Sequence, residues 1–427
     1  MGNARRLFTL FLAALLAALF LAPMYSELTA QDWPQWGGPN RDFTTGATGL
    51  ASTWPPGGPR QAWSRNLGEG YSAIVVEGNR VYTMYGEKPG IFSFGKEAQE
   101  VVVALNASDG KTIWEHRYEA PELPRMNLEY GPGPHSAPLI VGNRIYTVGA
   151  MGHFFALDKN TGRPVWSHNL NQEFGVTWGR GYSCSPIAYK DTVILVTGKK
   201  GHSVIAFKQS DGSVAWKKQD FDYGPSSPIL INVDGQEQLV LFMADGPVGL
   251  DPSNGELLWT HPHKTDWGLN ISTPVWGPGN LLFLSSAYSG GSRVLHLTQK
   301  AGKTNVRQVW FSSRMRIHFG NAVRMGDYVY GSSGDFGPAF LAGVELKTGN
   351  VAWQDRSFSR ASMVYADGKL IVLDEDGDLA LLTVSPTGVK VLARASVLTR
   401  NTWTPPTLAG TRLYIRDRKT IRALELK

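Results

Sequence analysis

Apolar residues in this chain fall in short runs, and the order of the runs repeats. A small or polar residue leads an apolar run, a tight turn follows, and a second apolar run comes next. Then comes Ala-Leu-Asp or a near copy, a Thr-Gly or Asp-Gly turn, and usually a tryptophan. The clearest copy begins at Ser136, turns at Gly142-Asn143, reads Ala156-Leu157-Asp158, turns at Thr161-Gly162 and reaches Trp166. Two apolar runs joined by such dipeptides read as hairpins, so each copy predicts four short antiparallel strands and no convincing helix. The tryptophans Trp63, Trp114, Trp166, Trp216, Trp259, Trp310 and Trp353 lie at intervals of 51, 52, 50, 43, 51 and 43 residues. A period of this length marks a repeat architecture.

Eight copies align. They begin at Ser72, Ser136, Ser185, Ser227, Thr273, Asn321, Ser362 and Thr404. The seventh has Leu392 where the others have tryptophan, and the eighth ends before its fourth strand. A fourth strand without a blade, Gln61-Ala62-Trp63, stands ahead of the first copy. Pairing it with the last strand near Leu424–Leu426 would close the ring and remove its two open ends. The prediction is an all-β fold, an eight-bladed propeller of four-stranded antiparallel blades over residues 59–427, its last blade completed by the strand around Trp63. Sheets sandwiched between neighbours bury both faces, which accounts for runs such as Val101–Leu105 that do not alternate. An indole at the outer strand offers a large flat surface to the next sheet, and its N–H can reach a carbonyl. The seven repeating tryptophans are therefore assigned to structure.

Composition narrows the function. The 427 residues carry a formal net charge of +6, with no basic run interleaved with aromatics, so nucleic-acid binding is not expected. Arg5 and Arg6 precede the apolar run Leu7–Leu21, and Thr29-Ala30 suits cleavage. Residues 1–30 read as a secretory signal peptide. Removing two Arg and one Glu with it leaves a charge of +5. No transmembrane span is expected after cleavage. No cysteine lies near that region, so a periplasmic or extracellular protein without a lipoprotein anchor is expected, as a monomer. Residues 31–58 form an N-terminal extended segment. The lone Cys184 excludes an internal disulfide and reads as a small buried side chain.

The string Ala156-Leu157-Asp158-Lys159-Asn160-Thr161-Gly162-Arg163-Pro164-Val165-Trp166 resembles the tryptophan-docking repeat of the pyrroloquinoline-quinone-like, or quinoprotein alcohol dehydrogenase-like, propeller family. Outer-membrane assembly propeller lipoproteins share that repeat. The leader Asp32-Trp33-Pro34-Gln35-Trp36-Gly37-Gly38-Pro39-Asn40-Arg41-Asp42 looks like the start of exported members. The resemblance implies the fold for nearly the whole mature chain but not one activity, because catalytic and non-catalytic members share the repeat. In the catalytic members it implies pyrroloquinoline quinone over a tryptophan floor, a calcium ion on oxygen ligands and an Asp base. Asn127, Glu129, Asp266 and Asn270 sit in the right kind of loop, but no ligand set stands out, and a disulfide between adjacent cysteines is impossible. Asp374–Asp378 imitates the start of a calcium loop. It lacks the glycine and glutamate at the required later positions and reads as a solvated hairpin turn.

Propellers bind ligands at the mouth of the central channel. The residues just before each inner strand are Tyr71, His135, Tyr182, Ser226, Asn270, His318, Arg360 and Trp403, and longer connections add Trp178, Arg180 and Trp267. Such side chains suit a protein or peptide, with a glycan or small anion also possible. His135 and His318 are too far round the ring to share a metal. The leading expectation is a non-catalytic binding or assembly scaffold with no cofactor. The alternative is a quinone-dependent alcohol or sugar dehydrogenase with Ca2+, and a second alternative is a glycan-binding or lyase-type propeller.

Overall fold

The computed structural model describes residues 32–88, 97–123, 126–129, 131, 133–335 and 337–427. The expected signal peptide lies outside the described residues. Eight four-stranded antiparallel sheets form the blades of a propeller. Blades 1 to 7 each use four consecutive strands. Blade 8 takes Thr407–Ala409, Arg412–Arg416 and Thr420–Glu425 from the end of the chain, and its outer strand is Arg60–Asn66. Trp63 pairs with Ala423 across that seam, so the three-plus-one closure is as expected. Among the described residues one five-residue helix, Leu170–Phe174, departs from the all-strand reading. It sits between blades 2 and 3, capped by the Asn169 side chain and ended by Gly175 at φ 63°.

The repeat now has a physical explanation. In each blade carrying a tryptophan, one residue of the outer strand bulges out of register immediately before it. The bulge re-aims the indole. Opposite it stands an alanine or glycine in all of these blades but blade 5, where Val294 faces Trp310: Ala104 faces Trp114, Ala156 faces Trp166, Ala206 faces Trp216, and Gly249 faces Trp259. The Ala of Ala-Leu-Asp is small for this reason, its Leu is buried, and its Asp ties the turn. Asp158, for instance, accepts the Thr161 hydroxyl at 2.9 Å.

Each indole then docks on the next blade. Trp63 donates to the Ala107 carbonyl at 2.9 Å, Trp114 to Lys159 at 3.0 Å, Trp166 to Gln209 at 3.1 Å, Trp310 to Leu346 at 2.7 Å and Trp353 to Ser385 at 2.8 Å. The rings of Trp63, Trp114, Trp166, Trp216 and Trp310 lie on the turn glycine of that blade. A Cβ at Gly162 would stand 2.4 Å from Trp114, and one at Gly255 would stand 2.6 Å from Trp216. Trp259 differs, donating to the Gln238 amide oxygen of its own blade.

Blade 7 corrects one expectation. Val391 pairs with Leu382 and Ala393 with Leu381, so Leu392 is the bulged residue and Ala393 occupies the tryptophan position. The sizes are exchanged across the ladder: large Leu381 faces small Ala393, where six other blades set alanine or glycine against tryptophan.

Inner strands are stapled by the residues that lead them. Ser72 donates to the Ser136 carbonyl, Ser226 to Ser272 and Thr404 to Tyr71. Residues 32–51 cross the base of the ring. Trp33 pairs with Val76, Pro34 accepts from Ile140, Trp36 donates to Thr273, Thr45 donates to Tyr365, and Ala51 donates to Leu426. Arg41 reaches into the channel and donates to the carbonyls of Pro228 at 2.9 Å and Pro186 at 3.0 Å. This strap touches blades 1, 2, 3, 4, 5, 7 and 8. Cys184 is buried close by, and burial pushes its thiol up to about 12.

Candidate binding site at the channel mouth

The opposite mouth is built by the connections that enter each inner strand. Tyr71 stacks on His135 with centroids 6.0 Å apart and meets Trp403 at 5.0 Å. Trp403 stacks on Phe319 at 4.8 Å, and Phe319 lies against His318 at 3.8 Å. His318 meets Tyr288 edge-on at 4.8 Å, and Tyr288 meets Trp267 at 4.9 Å. These contacts make an unbroken arc of rings from blade 2 through blades 1, 8 and 6 to blade 5. Trp267 ends the arc with 59% of its surface exposed.

A polar network holds the middle of the arc. Arg360 pairs with Glu375 at 3.0 Å, and the other Glu375 oxygen accepts the Trp403 indole N–H at 3.1 Å. Arg360 also donates to the Asp335 carbonyl at 3.0 Å and toward His318 Nδ1 at 3.3 Å. A guanidinium has no acceptor, so His318 Nδ1 must be the lone-pair nitrogen and Nε2 carries the proton shared with the Tyr288 hydroxyl. Burial, then the neighbouring Arg360 cation, pushes His318 down to about 4, so it is neutral at pH 7. Burial alone pushes His135 down to about 4. On the far side Arg418 pairs with Glu69 at 2.6 Å.

The structure thus gathers Tyr71, His135, His318, Arg360, Trp403 and Trp267 along one arc at the mouth, in which Tyr71 and His318 are buried and Trp267 is exposed. It places others elsewhere. Tyr182 and Trp178 are buried and pack on each other at 4.8 Å inside the wall. Trp178 donates to the Thr197 carbonyl. Ser226 is spent on its inter-blade staple. Asn270 is fully buried, donating to the Met243 carbonyl at 2.7 Å and accepting from Ser286 at 2.6 Å. These residues lead inner strands, and that position serves ring closure before it serves a ligand. Arg180 is half-buried in the connection after Trp178.

Phe319, Tyr288, Asp335 and Glu375 were not anticipated. The signal for Glu375 was present in the acidic stretch read as a solvated turn. The turn is there, between the second and third strands of blade 7, but Asp374 is 1% and Glu375 7% exposed. Asp374 accepts the backbone N–H groups of Asp376 and Asp378, while Glu375 faces the mouth. The residues considered for calcium do not converge. Asp266 accepts the Ser289 hydroxyl, Asn127 accepts the Glu129 N–H within its own loop, and the Asn270 amide is committed. That donor set does not fit a calcium ion.

The sequence model described as "Outer membrane protein assembly factor BamB" matches residues 98–355. The outer membrane protein assembly factor BamB of Burkholderia pseudomallei is 25% identical over 357 residues, 78% of this chain and 80% of that protein. A quinoprotein ethanol dehydrogenase of Pseudomonas aeruginosa is 26% identical over 149 residues, 30% of this chain. Several curated relatives are spanned over only 22% or 23% of their own length. The crystal structure of BamB from Moraxella catarrhalis superimposes with a TM-score of 0.56 at 17% identity, covering 86% of this chain and 97% of that one. That likeness concerns the fold. Among the described residues, no helix is long and apolar enough to cross a membrane.

Proposed function

Because the chain belongs to the pyrroloquinoline-quinone-like propeller family described by the outer membrane protein assembly factor BamB, we propose that it is an exported, non-catalytic scaffold that holds a protein partner at the channel mouth. The observation that carries this reading is the arc of rings from His135 to Trp267, flanked by the Arg360–Glu375 and Arg418–Glu69 pairs. Aromatic and arginine side chains on a preformed surface are the groups that dominate protein recognition. The other end of the channel is occupied by Arg41 and the strap, so the two faces are not equivalent. The test is capture from the cell envelope by purified protein, compared with Trp403→Ala and Trp267→Ala. Loss of the same captured protein in both variants supports the reading, and undiminished capture by both overturns it.

The 26% identity to a quinoprotein ethanol dehydrogenase favours a second reading, quinone-dependent oxidation of an alcohol or sugar. It is tested by adding pyrroloquinoline quinone and Ca2+ and following bound-quinone absorbance and dye reduction with ethanol. Stoichiometric binding with turnover would replace the scaffold reading.

A further inference from the structure

On the base face, away from the mouth, a cleft of about 1110 Å³ opens between blades 5 and 6. Its floor is one row of blade 5. Gly277 pairs with Leu281, Leu281 with His296, and His296 with Arg307, one residue from each strand. Blade 6 forms the facing wall with Arg324, Met325 and Lys347, and the strap residues 42–46 close the inner end.

Two guanidiniums mark the ends of the row. Arg324 lies over Gly277, where a Cβ would come within 2.7 Å of its Nη1. Its other nitrogens donate to the carbonyls of Gly326 at 3.0 Å and Pro278 at 2.7 Å, while Nη1 is buried with no hydrogen-bond partner. Among the described residues Arg307, at the rim, reaches only His296 Nδ1 at 3.5 Å. The acids nearby are engaged: Asp327 pairs with Lys347 at 3.0 Å, and Asp42 accepts the N–H and hydroxyl of Thr44. Among the described residues no carboxylate forms an ion pair with Arg307 or Arg324.

Neighbouring strands lie 4.7–4.9 Å apart, so three spacings set the Gly277 and Arg307 backbones, at the two ends of the row, roughly 14 Å apart. An extended peptide rises about 3.3 Å per residue and presents residues i, i+2 and i+4 on one face. Its i and i+4 side chains are then about 13 Å apart, with i+2 over Leu281 and His296. We propose that this cleft binds an extended acidic segment of a partner protein, of the pattern acid–x–apolar–x–acid. The carboxylates would meet Arg324 and Arg307 in charge-assisted contacts. The proposal goes beyond the mouth reading, because none of the mouth residues lines the cleft.

The probe is a fluorescein-labelled heptapeptide, Gly-Glu-Thr-Leu-Thr-Glu-Gly, followed by fluorescence anisotropy on the full chain. Expected are saturable binding that weakens with salt, and a loss of about tenfold for Arg307→Gln and for Arg324→Gln. A peptide with both Glu replaced by Gln, or with the two Glu adjacent, should bind at least tenfold more weakly. Arg307 is at the exposed rim, so Arg307→Gln keeps the test valid if Arg324→Gln fails to fold. The proposal is overturned if binding does not saturate by about 1 mM, the weak end of specific affinities. Equal affinity for the glutamine peptide, or for the Arg307→Gln protein, also overturns it.

Discussion

Replacing Gly162 by alanine tests whether indole docking holds neighbouring blades together. Gly162 has φ 71°, and a Cβ there would sit 2.4 Å from the Trp114 ring. The left-handed backbone alone costs an alanine about 1–2 kcal/mol. Moving the indole to a normal contact adds an overpacking cost of about 1–3 kcal/mol. It also weakens the 3.0 Å hydrogen bond to Lys159, which contributes about 1 kcal/mol. Gly142 lies in the same blade, also with positive φ at 55°, but nothing approaches a Cβ there within 4 Å. Gly142→Ala therefore carries the backbone cost without the clash. Equilibrium urea unfolding should show Gly162→Ala destabilised by about 3–5 kcal/mol and Gly142→Ala by about 1–2 kcal/mol. A red-shifted tryptophan emission should accompany the first and not the second. Equal losses in the two variants would show that the glycine serves only its turn and that docking contributes nothing.

Three more outcomes follow from the same geometry. His318 is held neutral, with its folded value near 4 below the usual 6.5, so its contribution is complete above pH 6.5 and is lost as pH falls toward 4. At pH 4.5 the loss is about 2 kcal/mol. The stability gap between wild type and His318→Asn in urea should shrink by that amount between pH 7 and pH 4.5, and a constant gap would refute the assignment. Glu375→Ala leaves Arg360 and the Trp403 N–H without their carboxylate and should cost about 2–3 kcal/mol by thermal unfolding. Glu375→Gln should recover part of it, and no difference between the two would count against the network. Arg41→Met removes donors to two channel carbonyls and should cost about 2 kcal/mol, with faster proteolysis within residues 32–51; unchanged cleavage there would mean that Arg41 does not pin the strap.

How far the sequence reaches can be judged residue by residue. The fold was legible because a propeller writes each blade as a local word: two hairpins, a small residue opposite an indole, and a glycine turn to receive the next ring. Even Trp63, stranded at one end, announced the seam it closes. Blade 7 shows the limit of that reading. Aligning the copies by sequence puts Leu392 at the tryptophan position. A bulge shifts the pairing by one, and only the observed register reveals that Ala393 stands there against Leu381.

The site was legible only in part. Counting back from each inner strand found Tyr71, His135, His318, Arg360 and Trp403, since every blade repeats that position. The same counting included Tyr182, Ser226 and Asn270, because periodicity marks a position without saying whether its side chain turns to solvent or to the next blade. Glu375 was hidden in a stretch whose composition suggests a hydrated turn. Its burial is set by Arg360 and Trp403, which arrive from other parts of the chain. By itself, then, the sequence determined the blades, their number and their closure, because those depend on contacts between segments close along the chain or one repeat apart. Tertiary structure alone decided the aromatic arc, the strap beneath the ring and the arginine-ended cleft, because each joins residues from several blades that only the closed ring brings together.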